Sequence, residues 1–120
     1  MNNREIGASH EEIALKYLLE KGYFLIKKNF RFGKLGEIDL VMKHKNVFVF
    51  VEVKARFSDK YGRPEEAVTT AKRKQIRRIA EGFVQIMGLD DFEGRFDVVA
   101  IDYFNTKADN PNIVHLVDAF

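Results

Sequence analysis

The sequence predicts an α/β domain built on a mixed sheet of about five strands, and three observations carry that expectation. Apolar spacing runs helix, three strands, helix, two strands along the chain. A hairpin signal stands in the middle, where the apolar-rich, strand-sized segments 37–42 and 47–54 flank a short polar loop. The chain has 120 residues, 46% of them hydrophobic, and no cysteine, so a single core must form without disulfide or thiolate-metal staples. One domain over residues 1–120 is expected.

The first helix starts at Ser9-His10-Glu11-Glu12, which reads as a capping box with Ser9 at the cap and Glu12 closing it. Ile13, Ala14, Tyr17, Leu18 and Leu19 follow at helical spacing, and Lys21-Gly22 stops the helix. Residues 23–30 read as a strand, and Gly33-Lys34-Leu35-Gly36 as a turn. The hairpin follows, with Lys43-His44-Lys45-Asn46 as its loop. Gly62 and Pro64 break the chain after it. Helical signal covers residues 65–87, entered in two steps around Thr69-Thr70, with Ile76, Ile79, Ala80, Phe83 and Met87 as its apolar stripe and Gly88 as its stop. Residues 96–103 and 113–117 read as the last two strands. No internal repeat interrupts this order.

The net charge of +2, from 20 basic and 18 acidic residues, conceals a partition. Residues 54–78 carry nine basic and three acidic groups, whereas residues 79–120 carry two basic and eight acidic ones. A basic block of that density is either a footprint for a polyanion or a solvated helix face. No run approaches the roughly 18 apolar residues of a membrane span. Residues 1–5 have no apolar stretch behind their charge, so no signal peptide is expected. Absence of cysteine agrees with a reducing compartment, and a cytoplasmic protein without a membrane partner is the expectation.

Chemistry concentrates on one face of the hairpin. Ile38, Leu40 and Met42 share one side of their strand, and Val47, Val49, Val51 and Val53 share one side of the next. The opposite side carries Glu37, Asp39 and Val41, against Phe48, Phe50, Glu52 and Lys54. If opposed residue numbers sum to an odd value, Asp39 lies opposite or diagonal to Glu52, with Cβ atoms roughly 4.5–8 Å apart. Two carboxylates so placed can share one divalent cation, because Mg–O bonds are about 2.0–2.1 Å. The alternative is three acids facing water with Lys54 as their ion-pair partner. Phe48 and Phe50 favour a covered face.

Glu11 begins a stripe continued by Ala14, Leu15 and Leu18, so it is expected to point at the sheet, or else to remain a solvated first-turn acid. On the second helix, Lys72 and Gln75 form the polar end of the apolar stripe and approach the strand ends. Arg73, Lys74, Arg77 and Arg78 spread over its exposed faces, where they track phosphates or solvate the helix.

Gly36-Glu37-Ile38-Asp39-Leu40 followed by Val51-Glu52-Val53-Lys54-Ala55-Arg56 resembles the bacterial YraN-like family of endonuclease-like proteins. That family is related to archaeal Holliday junction resolvases, within the PD-(D/E)xK nuclease superfamily. The resemblance extends over nearly the whole chain, through Glu11 with Ala14, Tyr17 and Leu18, Asn29-Phe30-Arg31, Gly62 with Pro64, Lys74-Gln75 and Arg95-Phe96-Asp97-Val98-Val99. Ile38 stands where the superfamily motif often has proline. The resemblance implies a restriction-endonuclease-like three-layer fold and metal-dependent phosphodiester hydrolysis. Together with the carboxylate–lysine face and the basic block, the expected substrate is structured DNA, with branched junctions one candidate. It implies Mg2+ or Mn2+ as cofactor, held by Asp39, Glu52 and the backbone carbonyl of Val53, with Glu37 in support. Lys54 would assist the attacking water, and Glu11 matches the first-helix glutamate of resolvase-like members. Arg56, Lys72, Arg73, Lys74, Gln75, Arg77 and Arg78 are the expected nucleic-acid contacts. A homodimer is implied too, since paired cuts need paired sites. The competing expectations are a non-catalytic nucleic-acid-binding module of the same fold and a protein-interaction domain whose charges only solubilise it.

Overall fold

The computed structural model describes residues 3–58, 60, 62–104 and 110–120, with side chains from His10 onward. Its elements are α1 (Asn3–Glu20), β1 (Phe24–Arg31), β2 (Glu37–His44), β3 (Val47–Arg56), a 3-10 turn (Pro64–Glu66), α2 (Thr70–Met87), β4 (Glu93–Asp102) and β5 (Asn112–Leu116). The five strands form one sheet in the order β1-β2-β3-β4-β5. β3 and β4 run parallel and every other pair is antiparallel, because α2 is the only crossover long enough to return the chain in the same direction. The expected α/β mixed sheet is therefore present, with a helix on each face.

Each face of the sheet closes over its own apolar cluster. Ala14 and Leu18 of α1 pack on Leu40, Met42, Val49, Val51, Val99 and Ile101. Ile76, Ile79, Ala80 and Phe83 of α2 pack on Ile38, Val41, Phe50 and Val98. These residues are nearly all fully buried, and each large side chain removed from water contributes about 1.5–3 kcal/mol. Gly82 of α2 is required by this packing, since a Cβ there would stand 2.6 Å from the Phe32 ring.

Several expectations need correcting. α1 begins at Asn3, upstream of Ser9, so no capping box opens it; Ser9 lies outside the described side chains. Glu12 instead forms an ion pair with Lys28 of β1 at 3.1 Å. The hairpin loop is two residues, Lys45 and Asn46, rather than four, and Lys45 takes a left-handed φ of 56°. Lys43 and His44 join β2 while β3 still begins at Val47, so the opposed numbers sum to 91 rather than 89, still odd, and the pairs run from His44↔Val47 to Leu40↔Val51. Ile38 does not share a face with Leu40 and Met42; it packs under α2 with Val41 and Phe50. Strict alternation breaks between Ile38 and Leu40, where the ladder to β3 ends and strand twist is no longer restrained by pairing on that side. α2 is entered in two steps, through the 3-10 turn and then the Thr69 cap, whose Oγ1 accepts from Lys72 N–H at 3.2 Å.

Candidate active site

The site lies at a fork in the sheet. β2 and β3 pair as far as Leu40↔Val51, and no pair joins them beyond it. β3 continues alone against β4, with Glu52↔Val98, Val53↔Val99 and Lys54↔Ala100. A backbone N–H freed by such a parting needs a new acceptor. Val53 N–H finds it in the Asp39 side chain, donating to Oδ2 at 2.8 Å. That bond fixes the Asp39 carboxylate against β3 in the fork, near Glu52.

Glu52 is only 6% exposed, and its Oε2 is buried without a hydrogen-bond partner. Burial and the neighbouring Asp39 charge push its carboxyl up to about 7, against which Lys72 and Lys54 act. Asp39 is raised too, by burial first, while the Val53 N–H, Glu11 and Lys72 pull the other way. Glu11 of α1 reaches across to the same place. Burial, then the Asp39 charge and a hydrogen bond to Asp39, raise it to about 7. Two carboxyl groups share a hydrogen bond only when one carries the proton, so the Glu11–Asp39 pair favours retaining one. Asn29 of β1 holds Glu11 from the other side. With its amide nitrogen turned toward Glu11, it donates to both carboxylate oxygens at 3.2 Å. Asn29 adopts a φ of 51°, a left-handed conformation that asparagine tolerates better than most residues.

Glu37 stands at the entrance of β2, cross-strand from Arg31, whose Nη2 lies 3.6 Å from its Oε2. Its charge also acts on Glu11 and Asp39. The turn before it is set by Gly36, whose φ of 118° excludes most side chains and whose Cβ, if present, would meet Gln75 Nε2 at 2.7 Å. Gln75 donates that amide to the Leu35 carbonyl, tying α2 to the turn. Lys72, in the first turn of α2, thereby faces Asp39 and Glu52.

The fork thus gathers Glu11, Asp39, Glu52, Lys54 and Lys72, with Glu37 at its edge. Among the described residues no three acidic, histidine or cysteine side chains are arranged to enclose a metal ion by themselves. The donor set nevertheless suits a hard divalent cation. Mg2+ is ordinarily held by one or two carboxylates while keeping several waters. Asp39 and Glu52 provide such a pair, and the unpartnered Glu52 Oε2 is a buried acceptor without a donor. A cation there would offset the burial, and the lesser mutual repulsion, that raise Glu11, Asp39 and Glu52.

The expected nucleic-acid contacts divide. Lys74, Arg77 and Arg78 are exposed on α2. Arg73 is anchored, donating from Nε to the Val68 carbonyl and from Nη2 to the Glu65 carbonyl, each at 3.0 Å. Arg56 is turned inward, with its side chain 12% exposed, its Nε 3.5 Å from Asp102 Oδ1, and its Nη2 donating to the Gly62 carbonyl at 3.0 Å. Sequence reading missed Asn29, whose signal would have been an asparagine in a strand, and Phe57, which is 64% exposed beside Lys54. A cavity of about 400 Å3 opens there, lined by Lys54, Arg56, Phe57, Gly62, Arg63 and Glu66 among others. A separate groove of about 580 Å3 between α2 and β4 is lined mainly by apolar groups such as Phe50, Val84 and Phe96, and holds none of the three carboxylates of the fork.

Residues 10–101 match the Uncharacterised protein family UPF0102. A UPF0102 protein of Caldicellulosiruptor saccharolyticus is 45% identical over the whole of both chains. One from Natranaerobius thermophilus is 44% identical, again over the whole of both. A third, from Caldanaerobacter subterraneus, is 38% identical over all of this chain and 98% of its own. The matched region contains every residue of the fork, and the chain belongs to the UPF0102 family, the YraN-like family that its motifs resemble.

Proposed function

We propose that this protein is a metal-dependent endonuclease that hydrolyses phosphodiester bonds of structured DNA, with Mg2+ or Mn2+ held by Asp39, Glu52 and the Val53 carbonyl. The observation that carries the reading is the sheet fork, where Asp39 is fixed by the Val53 N–H at 2.8 Å beside a buried Glu52 whose Oε2 has no protein donor. A bound divalent ion would supply Lewis acidity and lower the pKa of its water. Lys54 and Lys72 then offer ammonium groups to the scissile phosphate, and Lys54 orients the attacking water and neutralises charge growing on the phosphoryl oxygens. Glu11, steered by Asn29, supports Asp39 from the α1 side, and Glu37 supports it from the edge of β2. The basic groups Lys74, Arg77 and Arg78 add phosphate contacts that carry no base information, so recognition follows DNA structure rather than sequence. A homodimer would supply the paired sites that a branched substrate needs.

The test is a panel of labelled duplex, flap and four-way-junction DNA incubated with Mg2+ or Mn2+. Metal-dependent cleavage of at least one structure is expected, with loss in Asp39→Ala and Lys54→Ala. No cleavage of any structure, or cleavage that survives both substitutions, overturns the reading. Salt-sensitive binding without turnover would leave a nucleic-acid-binding module in its place.

A further inference from the structure

We propose that Phe57 is a stacking platform for an unpaired base, so that the protein selects DNA carrying unpaired nucleotides over continuous duplex. This inference rests on the reading of the fork as a DNA site.

β3 brings Glu52 and Lys54 into the fork, ends at Arg56, and hands the chain to Phe57. A phenylalanine left 64% exposed forgoes most of the burial that makes the residue useful in a core. Its ring is nonetheless held in place. It stacks on Tyr103 with centroids 5.2 Å apart and planes 12° from parallel, and it meets His10 edge-on at 6.0 Å. Tyr103 is itself fixed, its hydroxyl 2.8 Å from His10 Nδ1 and its backbone N–H donating to the Arg56 carbonyl at 2.8 Å. One ring face is thus backed by an immobilised aromatic while much of the side chain stays open to solvent. Such a ring loses little freedom when a second aromatic group stacks on it.

The surroundings identify that group. Phe57 and Lys54 line the same cavity of about 400 Å3, and Arg63 lines it too. Arg56 is engaged inward with Asp102 and the Gly62 carbonyl, which leaves Lys54 and the exposed Arg63, whose Nε lies 3.8 Å from Glu65 Oε2, as the cations available to a ligand, with Glu66 also on the lining. A planar apolar surface with Lys54 and Arg63 at its rim, beside a phosphodiester site, matches a nucleotide, with its flat base and anionic backbone. Every base has a π face, so the contact reads no sequence. A base inside a duplex already has both faces stacked and cannot reach the ring. The platform therefore discriminates by strand structure.

The test measures binding with Ca2+ in place of Mg2+, so that no strand is cut. Two labelled DNAs are compared: a flap with 2-aminopurine at its first unpaired position, and a duplex long enough that its ends are a small part of it. The intact protein is expected to quench 2-aminopurine on binding the flap. Phe57→Ala is expected to lose the quenching and about tenfold or more in flap affinity, with duplex affinity held within about twofold. Phe57→Tyr is expected to keep both. Phe57→Leu separates aromatic stacking from bulk and should behave like Phe57→Ala. Equal affinity of Phe57→Ala and intact protein for the flap overturns the platform while leaving the nuclease reading standing, as does an equal loss on both DNAs. Failure of the intact protein to bind any DNA at low salt overturns both. Quenching that depends on Phe57 in a protein that never cleaves supports the platform and removes the nuclease.

Discussion

Asp39 Oδ2 accepts the backbone N–H of Val53 at 2.8 Å, and this single bond joins the two strands after their ladder has ended. It makes Asp39 both a stitch in the sheet and an acid of the fork. The two roles separate by substitution. Asp39→Asn keeps an oxygen for Val53 and removes the charge, so it should fold with nearly unchanged stability and lose metal-dependent activity. Asp39→Ala should lose activity and also leave the Val53 N–H unanswered, at about 1–3 kcal/mol. Urea titration of both variants beside a cleavage assay checks this. Equal stability of the two would show that water replaces the bond at no cost.

Metal-free protein should become less stable as pH rises through neutrality. Glu52 and Glu11 have ordinary values of 4.5 and are raised to about 7 in the fold. A raised carboxyl favours the protonated folded state, so its contribution is complete below about 4.5 and is lost as pH passes about 7. Melting temperature measured in EDTA from acid to alkaline pH should fall over that window. Glu52→Gln should flatten the fall, and millimolar Mn2+ should reverse it in the intact protein only. A flat profile in the intact metal-free protein contradicts the electrostatics of the fork.

Asp97 should behave in the opposite sense. It is fully buried under α1, where burial alone would raise its carboxyl. His115 Nε2 at 2.7 Å, the Arg95 guanidinium with Nε at 3.0 Å, and the Asp118 N–H at 3.0 Å outweigh burial and hold it below its usual range. A lowered carboxyl stabilises the fold above its ordinary value of 3.8, and that stability disappears as pH falls below it. Asp97→Ala strips the partner from a buried pair and should cost about 3–5 kcal/mol. Denaturant unfolding at neutral pH measures the loss, and a cost under about 1 kcal/mol would show that the network is not holding β4 to β5.

Gly82→Ala sets two magnitudes against each other. Alanine gains about 1 kcal/mol over glycine inside a helix. Its Cβ would press within 2.6 Å of the Phe32 ring, and overpacking of that kind costs about 1–3 kcal/mol. Net destabilisation is expected, relieved in part by pairing Gly82→Ala with Phe32→Leu. A thermal melt of the single and double variants decides it.

The architecture was legible wherever alternation or helical spacing ran uninterrupted. Val47, Val49 and Val51 declared their common face, and the odd-sum register holds for the observed two-residue loop as for the expected four-residue one, because both are even. Glu11 was readable because Ala14 and Leu18 lie on its own stripe. Ile38 was not, because the change of face occurs where β2 leaves β3, and one residue's spacing cannot report a lost neighbour. Glu12 looked local beside Ser9, yet its partner is Lys28 on β1. Arg56 counted as surface charge until the fold set Asp102 against it, from a strand paired in parallel register. Asn29 and Phe57 matter through backbone angle and exposure, which composition does not record.

The central claim is that Asp39 and Glu52 form a divalent-ion site, and metal binding tests it without any assumption about the DNA substrate. Titrating Mn2+ into the protein at pH 7.5, followed by electron paramagnetic resonance of the free ion, should reveal a site present in the intact chain, lost in Asp39→Asn and Glu52→Gln, and retained in Phe57→Ala. Mn2+ binding that is absent from the intact protein, or undiminished when both acids are neutralised, would contradict the account.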